Sequence, residues 1–265
     1  MKILLAGVVV AALIGGVWRL TSESPSEGAP EEGTPKHLVL VAVDSSGHEH
    51  DGVIQGGPAI GLRGHQGSAY SFDRPGSWVQ VPPDPGLNPG RRDFVFSAWV
   101  NLKHAPRPAQ TYDIIRKGLG GTPGGEFKLE ILSGERVKCS TKDSRGRDRA
   151  INSPFRHIAD GRWHHVGCAR TGSGWSTILD GLVTTKQVDL GTISNTMAVS
   201  IGSKYGLEDV PDGRVDEVAL FIDAGPRGKP SSTSAKARVR IDQLRQTEPE
   251  GLWHLDEQPI GSPSE

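Results

Sequence analysis

The stretch DGRWHHVGCARTGSGWSTILDG, residues 160–181, contains two short strand-like runs separated by a glycine-containing turn. The runs, at 162–170 and 175–180, hold the aromatic and β-branched residues that are common in strands. The dipeptide Asp180-Gly181 follows, and Asp-Gly readily adopts the type I′ turn of a two-residue hairpin. The stretch therefore predicts consecutive strands, with the run at 182–188 returning beside the second.

The same period-two pattern recurs along most of the chain. In DFVFSAWVNL, residues 93–102, alternation predicts one buried face, made of Phe94, Phe96, Ala98 and Val100. In EFKLEIL, residues 126–132, the buried face holds Phe127, Leu129 and Ile131. Similar runs occur at 38–43, 68–72, 77–81, 111–116, 135–141, 197–202, 214–222 and 251–256. About a dozen short strands predict an all-β, two-sheet antiparallel sandwich, and only residues 235–247 could form a helix.

Composition agrees with many tight turns and excludes several classes. The 265 residues include 35 Gly and 19 Pro without a Gly-X-Y period, which excludes collagen. The charged residues amount to 23% of the chain and nearly cancel to a net charge of -1, which argues against wholesale disorder. Basic runs are also missing from the sequence, so we expect no nucleic-acid partner.

The amino-terminal residues resemble an export segment followed by a linker. Residues 3–18 are uninterruptedly apolar behind Lys2, as in a secretory signal. Residues 1–20 are interpreted as a cleaved signal peptide or an uncleaved membrane anchor, and the two alternatives stay open. Residues 21–36 contain three Pro and four Glu but no large apolar residue, which predicts a disordered acidic linker. The sandwich domain is assigned to 37–258 and a tail to 259–265, in an extracellular or cell-surface protein.

The two cysteines, Cys139 and Cys168, both fall in predicted strands. Because oxidising compartments favour pairing, an exported chain is expected to join them in a structural disulfide. The alternative is two separate buried thiols.

Several motifs, taken in order, resemble laminin G-like, concanavalin A-like jelly rolls. They are the Trp-His-His-Val strand within 160–181, DSSGHEHDGVIQGGP (44–58), GSAYSFDRPGSWVQVP (67–82) and GRVDEVALF (213–221). The resemblance implies two antiparallel sheets and a module that binds carbohydrate or an extracellular protein. Relatives usually begin with a strand resembling Trp-x-Phe-Asp-Glu, whereas here GLWHLDE appears at 251–257. This late segment either occupies or flanks the position of that first strand, or it begins a second domain that has been lost.

A catalytic role is an alternative because related folds include glycoside hydrolases, which need two carboxylates beside the scissile bond. The Glu-x-Asp-x-Glu string that such enzymes carry on one strand face is absent from this sequence. Asp216 and Glu217 are adjacent, so in a regular strand they point to opposite faces. We therefore expect no enzyme, with a glycoside hydrolase as a minor alternative.

Four residues are candidates for binding. Calcium prefers oxygen ligands, so Asp44, in a Gly-containing acidic loop, and the strand residue Asp216 are its candidate ligands. The alternative is a structural role, in which the Asp44 side chain only caps a turn. Exposed aromatic side chains stack on sugar rings, so Trp175 and Tyr205 are candidate ligand contacts, unless they only pack in the core or at an edge. Of His164 and His165, only one is expected to face the core.

These observations predict an exported, non-catalytic recognition module for carbohydrate or a surface partner. A protein-adhesion or structural role without glycan binding is the alternative.

Overall fold

A computed structural model of the protein describes residues 40–223 and 233–256. The predicted export segment, the acidic linker and the tail at 259–265 lie outside the described residues, so their assignment stays a prediction. Within the described ranges, no helix combines the length and the apolar character needed to cross a membrane.

The described residues form sixteen strands and one helix. The first eight strands are β1 (Val41–Ala42), β2 (Gly52–Gln55), β3 (Ala59–Arg63), β4 (Ser68–Ser71), β5 (Trp78–Val81), β6 (Phe94–Leu102), β7 (Thr111–Lys117) and β8 (Glu126–Leu132). The next seven are β9 (Val137–Lys142), β10 (Asp148–Asn152), β11 (Trp163–Thr171), β12 (Gly174–Leu179), β13 (Leu182–Gln187), β14 (Val199–Ile201) and β15 (Gly213–Ile222). Helix α1 (Ser234–Leu244) and strand β16 (Gly251–Trp253) follow.

The strands form two sheets whose pairings in the described residues are all antiparallel. Sheet A has the order β1-β2-β5-β14-β7-β8-β9-β10. Sheet B has the order β13-β12-β11-β6-β15-β4-β3, and β16 also pairs with β15. The predicted all-β, two-sheet antiparallel sandwich is confirmed.

The core lies between the two sheets and is built by the predicted alternation. From β6 it receives Phe94, Phe96, Ala98, Val100 and Leu102, all fully buried. From the facing strand β8 it receives Phe127, Leu129 and Ile131. The rings of Phe96 and Phe127 meet across the layers with centroids 4.8 Å apart. Such aromatic contacts add to the free energy gained by removing apolar surface from water.

A covalent bond also joins the layers, because Cys139 of β9 and Cys168 of β11 form a disulfide. Both cysteines are fully buried in the core between the sheets. Since the bond closes a loop of 29 residues, the chain-entropy account gives a stabilisation of about 3–4 kcal/mol. The alternative of two separate thiols is not what the structure shows.

Helix α1 covers part of the outer face of sheet B. Its buried residues Ala237, Ile241 and Leu244 recur at helical spacing, and Thr233 caps its amino terminus by accepting a hydrogen bond from the Lys236 amide. The three buried residues of α1 pack on outward-facing residues of sheet B, such as Val95 and Ala169. The helix that the sequence allowed at 235–247 is therefore present and creates a second, smaller core.

The carboxy-terminal strand β16 belongs to this domain. It pairs with Val218–Leu220 of β15 on one side, and on the other its Leu252 carbonyl accepts a hydrogen bond from the Ser45 amide at 2.8 Å. Trp253 is almost fully buried, and its indole Nε1 donates to the His50 carbonyl at 2.9 Å. The segment thus completes sheet B, which favours the first of the two alternatives that the sequence left open.

Replacing Trp253 by alanine tests whether β16 is integral to the fold. We expect Trp253→Ala to lower the free energy of unfolding by about 3–5 kcal/mol, because it leaves a cavity in the core. Gln246→Ala, at an exposed position between α1 and β16, should change it by less than about 0.5 kcal/mol. Chemical denaturation measures both. Equal unfolding midpoints for Trp253→Ala and the unsubstituted protein would show that β16 is dispensable.

Candidate functional site: a groove built from three strand connections

Three strand connections enclose a groove with a volume of about 530 Å³. The connections run from β4 to β5 (72–77), from β6 to β7 (103–110) and from β14 to β15 (202–212). Its lining comprises Asp73, Arg74, Pro75, Arg107, Ala109, Gln110, Thr111, Tyr112 and residues 207–212. Loops that meet on a rigid sandwich are common positions for binding sites, and a concave surface of this size can hold a small ligand.

The groove combines paired and unpaired charges. The carboxylate of Asp212 contacts His104 at 2.6 Å and Lys103 at 3.9 Å, and Glu208 forms an ion pair with Lys204. By contrast, the guanidinium groups of Arg74 and Arg107 contact no hydrogen-bonding or ion-pair partner among the described residues. Both arginines are exposed. Their five N–H donors each are therefore available to a ligand in the groove.

Tyr112 supplies an aromatic side chain to the groove wall. Burial raises the pKa of the Tyr112 phenol, and the nearby Asp212 carboxylate raises it further. The phenol is therefore neutral under physiological conditions, with a hydroxyl that can donate and accept. The half-buried ring also offers some apolar surface beside the two arginines.

Two residues that line the groove have a strained backbone. Ala109 and Asp209, which line it, have φ angles of 65° and 61°, and Tyr205 of the same β14–β15 connection has 54°. Non-glycine residues rarely adopt this left-handed region, and such strain tends to occur at functional sites.

The β14–β15 connection contains the predicted ligand contact Tyr205, but the groove is lined by its neighbours. The Tyr205 hydroxyl accepts from the Gly118 amide at 2.7 Å and donates to the Ala198 carbonyl at 3.0 Å. Its half-buried ring lies edge-on to Trp78. Tyr205 therefore lies in a connection that forms the groove, but its side chain fixes that connection to the sheet and does not line the groove.

The family model described as the concanavalin A-like lectin/glucanases superfamily, of laminin G type, matches residues 73–225, more than half of the chain. The chain belongs to this superfamily. The match includes all three connections that enclose the groove except residue 72. The predicted laminin G-like family is confirmed. No curated protein matches the chain.

Solved structures show the same superfamily fold at low sequence identity. They include the receptor-binding domain of botulinum neurotoxin type G, with a TM-score of 0.53, 12% identity and 77% of this chain covered, against 51% of that chain. A second is botulinum neurotoxin type C, whose passage into cells is described as dependent upon interaction with two ganglioside molecules; its TM-score is 0.53 at 13% identity, with 76% of this chain and 48% of that chain covered. A third is the binding domain of botulinum neurotoxin DC in complex with rat synaptotagmin II, with a TM-score of 0.53 at 14% identity and 77% of this chain and 49% of that chain covered. The chain spans about half the length of these structures.

The prediction that Trp175 contacts a ligand is wrong. Trp175 is fully buried, and its indole Nε1 donates to the Cys139 carbonyl at 3.0 Å. Its ring lies beside Phe94 and Phe96, with centroids 5.9 and 6.3 Å away. The inward register of β12 places this side chain between the sheets, next to the disulfide, where no sugar can reach it.

The predicted calcium ligands Asp44 and Asp216 lie in separate settings and do not fit the ion. The Asp44 carboxylate accepts four hydrogen bonds, from the amides of Ser46, His50 and Leu252 and from the Ser46 hydroxyl, which occupy its four lone-pair positions. Burial alone would raise the pKa of Asp44, but these hydrogen bonds hold it below its usual value. Asp44 therefore organises its turn, which is the structural role that the sequence left open.

Asp216 is fully buried and accepts hydrogen bonds from the amides of His65, Gln66 and Glu217. Burial raises its pKa to about 6. In the described part of the chain, no group of three or more His, Cys, Asp or Glu side chains could hold a metal ion. Calcium binding as such stays a prediction, without ligands assigned to it.

The residues that line the groove were missed at the level of sequence. Arg74 lies in Asp73-Arg74-Pro75-Gly76 and Arg107 in Pro106-Arg107-Pro108. Both are turn clusters between strands, and an arginine in such a cluster was the available signal. Aromatic residues that can stack on sugars are a more direct sequence signal than these arginines, and only the fold shows that the distant turns meet.

Only one of the two histidines of the Trp-His-His motif faces the space between the sheets, as expected: His164 points inward, and His165 pairs with Trp99 on the outer face of sheet B. Both side chains are nonetheless almost buried, because the outer face is also covered at this point. His164 lies between two carboxylates, with its Nδ1 2.9 Å from Asp180 Oδ2 and its Nε2 3.1 Å from Asp160 Oδ1. The His165 ring packs against Trp99, with centroids 5.3 Å apart. Burial lowers the pKa of His165 from 6.5 to about 4, with a further contribution from Arg245.

The buried His165 predicts a dependence of stability on pH. Between pH 6.5 and 4 the unfolded chain binds a proton at this position and the folded domain does not, so stability falls as the pH falls. The loss reaches about 3 kcal/mol near pH 4. His165→Phe, which keeps a ring against Trp99, should reduce the slope over this interval and leave it unchanged above pH 7. Urea denaturation across this pH range measures both slopes, and identical slopes would contradict the assignment.

Proposed function

We propose that this protein is an exported, non-catalytic recognition module that binds carbohydrate in the groove formed by the three strand connections. The superfamily takes its name in part from lectins, and solved structures of similar fold include a toxin described with two ganglioside molecules. These relationships support a binding module in general. The residues that line the groove favour carbohydrate as the ligand.

The observation that carries the proposal is the pair of unpartnered arginines beside Tyr112. Each sugar hydroxyl both donates and accepts hydrogen bonds, so its recognition needs donors and acceptors close together. Arg74 and Arg107 are donors, while the carboxylates of Asp73 and Asp209 line the same groove as acceptors. The Tyr112 ring adds the apolar surface on which the C–H face of a pyranose can pack.

A non-catalytic role is supported by the positions of Asp216 and Glu217, the adjacent acidic residues of β15. Asp216 is fully buried, and Glu217 Oε1 lies 2.9 Å from His254 Nδ1. Residue 217 occupies a bulge with a φ of 50°, so the two side chains do not flank a common open site as hydrolysis of a glycoside requires.

A protein partner is the second candidate, and one observation favours it. The side chain of Leu207 lines the groove and is 77% exposed, which suits an apolar contact with another protein. The structure of a similar fold in complex with rat synaptotagmin II is compatible with such a use.

The location of the module is part of the proposal. The apolar segment at 1–20 would direct export, either as a cleaved signal or as an anchor, and the acidic linker at 21–36 would separate the domain from the cell surface. The partners would accordingly be extracellular.

A glycan array with matched arginine variants tests the proposal. We expect the unsubstituted protein to bind a subset of glycans, and Arg107→Ala to weaken that binding at least about tenfold, since hydrogen bonds from a charged donor are strong. Arg91→Ala is the control, because Arg91 is also exposed but precedes β6, whereas Arg107 follows it. The two arginines thus flank opposite ends of β6, a strand of nine residues that is about 30 Å long.

Repeating the array with a chelator tests calcium. Weaker glycan binding in the chelator would support the predicted calcium, held by ligands other than Asp44 and Asp216, whose oxygens accept N–H hydrogen bonds. Unchanged binding would contradict it. Glycan binding that Arg107→Ala and Arg91→Ala leave equally intact would exclude the groove. An empty array together with a protein crosslinked near Leu207 would favour the second candidate.

A further inference from the structure

We propose that residues 203–210 form a lid whose opening extends the groove to Asp113 and Arg116, which then bind two neighbouring hydroxyl groups of a carbohydrate. This inference rests on the proposed function and extends the site to residues that do not line the open groove.

Asp113 and Arg116 are buried charges on the outward-facing side of β7. The two side chains are only 1% and 2% exposed. Arg116 Nη1 donates to Asp113 Oδ2 at 2.6 Å, and Arg116 Nη2 donates to Glu126 at 3.4 Å. Burial raises the pKa of Asp113 to about 7, even though the Arg116 charge opposes this shift. The domain therefore buries an ion pair at a cost, on a face of the sheet that could have been left in water.

One atom of each side chain has no partner. Among the described residues, nothing hydrogen-bonds to Asp113 Oδ1 or to Arg116 Nε, and both atoms are buried. Native proteins satisfy nearly all buried polar groups, so two unsatisfied atoms in one contacting pair require an explanation. A ligand that supplies both missing bonds is such an explanation.

The two unsatisfied atoms match the chemistry of a sugar. Asp113 Oδ1 is an acceptor when ionised, and Arg116 Nε–H is a donor. Neighbouring hydroxyl groups on a pyranose can donate to the first and accept from the second. A carboxylate and a guanidinium side by side therefore fit a diol better than they fit a single charged ligand.

The segment that covers the pair is the β14–β15 connection. The Tyr205 ring lies over the Arg116 guanidinium at 6.0 Å, and the Asp209 carbonyl accepts from the Asp113 amide at 2.8 Å. Both covering residues have left-handed φ angles, and Leu207 at the tip is 77% exposed. The cover is strained at two points and adds little apolar packing at its tip. It is held by the two hydrogen bonds of the Tyr205 hydroxyl and by the bond from the Asp113 amide to the Asp209 carbonyl, so opening it requires that these few bonds break.

The cover also separates the pair from the open groove. Residues 207–212 line one side of the groove, and Thr111 and Tyr112, immediately before Asp113 in β7, line another. If residues 203–210 move away, the groove extends directly along β7 to Asp113 and Arg116. A ligand could then contact Arg107 and Tyr112 at one end and the buried pair at the other.

Labelling of arginines in the folded protein tests the lid. Phenylglyoxal is applied under native conditions, and modified peptides are quantified by mass spectrometry. Arg170 is the matched control, since it is also fully buried but its guanidinium donates to the carbonyls of Gly90, Arg92 and Gly191. We expect Arg116 to be labelled while Arg170 is not. Tyr205→Phe, which removes the hydrogen bonds of the Tyr205 hydroxyl, should speed labelling of Arg116 on the order of tenfold.

The ligand assignment is tested in the same assay with methyl α-glucopyranoside, methyl α-mannopyranoside and methyl α-galactopyranoside as probes. At least one should slow the labelling of Arg116 in Tyr205→Phe, and adding Asp113→Asn should abolish that protection, measured as the ratio of labelling rates with and without the sugar in the same variant. If no probe protects Arg116, the diol assignment is overturned. If Arg116 is labelled no faster than Arg170 in both proteins, the lid is overturned, even when Arg107→Ala has weakened glycan binding. Labelling of Arg116 together with an empty glycan array would instead overturn only the proposed function and the ligand assignment.

Discussion

The structure depends on the pairing of β6 with β11 and β15, which fixes which side chains face the core. In this antiparallel arrangement alternate residues of β6 enter the space between the sheets, and the intervening residues face outward. A shift of one residue in this register would move Phe94 and Phe96 out of the core and Val95 into it. The inner core, the site of the disulfide and the surface on which α1 packs all follow from this one register.

The same register explains how much of the fold could be predicted. Strands with one apolar face, such as β6 and β8, are visible in the sequence because alternation is a direct consequence of sheet geometry. Strand β10, with the sequence Asp-Arg-Ala-Ile-Asn, was missed because it lies at the edge of sheet A and is held by backbone pairing with β9. The run predicted at 251–256 ends early at Trp253, since Leu255 has a φ of 59° that a strand does not allow. An edge strand that is held mainly by backbone hydrogen bonds needs no apolar face, so its sequence does not show the alternation of a half-buried strand.

The candidate site was harder to predict than the fold, for a physical reason. Trp175 is a candidate from the sequence because aromatic residues bind sugars. Its burial is decided by the register of β12, which turns its side chain inward. A strand as short as β12, without clear alternation of apolar and polar residues, does not show in the sequence which face is inward. Tyr205 was selected in the right connection, yet the groove is formed by residues from three connections that are far apart in the chain. Chain geometry alone brings Arg74, Arg107 and Tyr112 together. Sequence patterns describe local periodicity well, and they describe the meeting of distant turns poorly.

The disulfide between Cys139 and Cys168 has a mechanical consequence. It connects β9 in one layer to β11 in the other, so at this point the layers cannot slide or separate without breaking a covalent bond. Elsewhere the two sheets adhere through dispersion and hydrophobic contacts, which yield gradually under load. Under a force that shears one sheet against the other, the half of the sandwich nearest this crosslink would resist, and the layers would separate first at the opposite, uncrosslinked side.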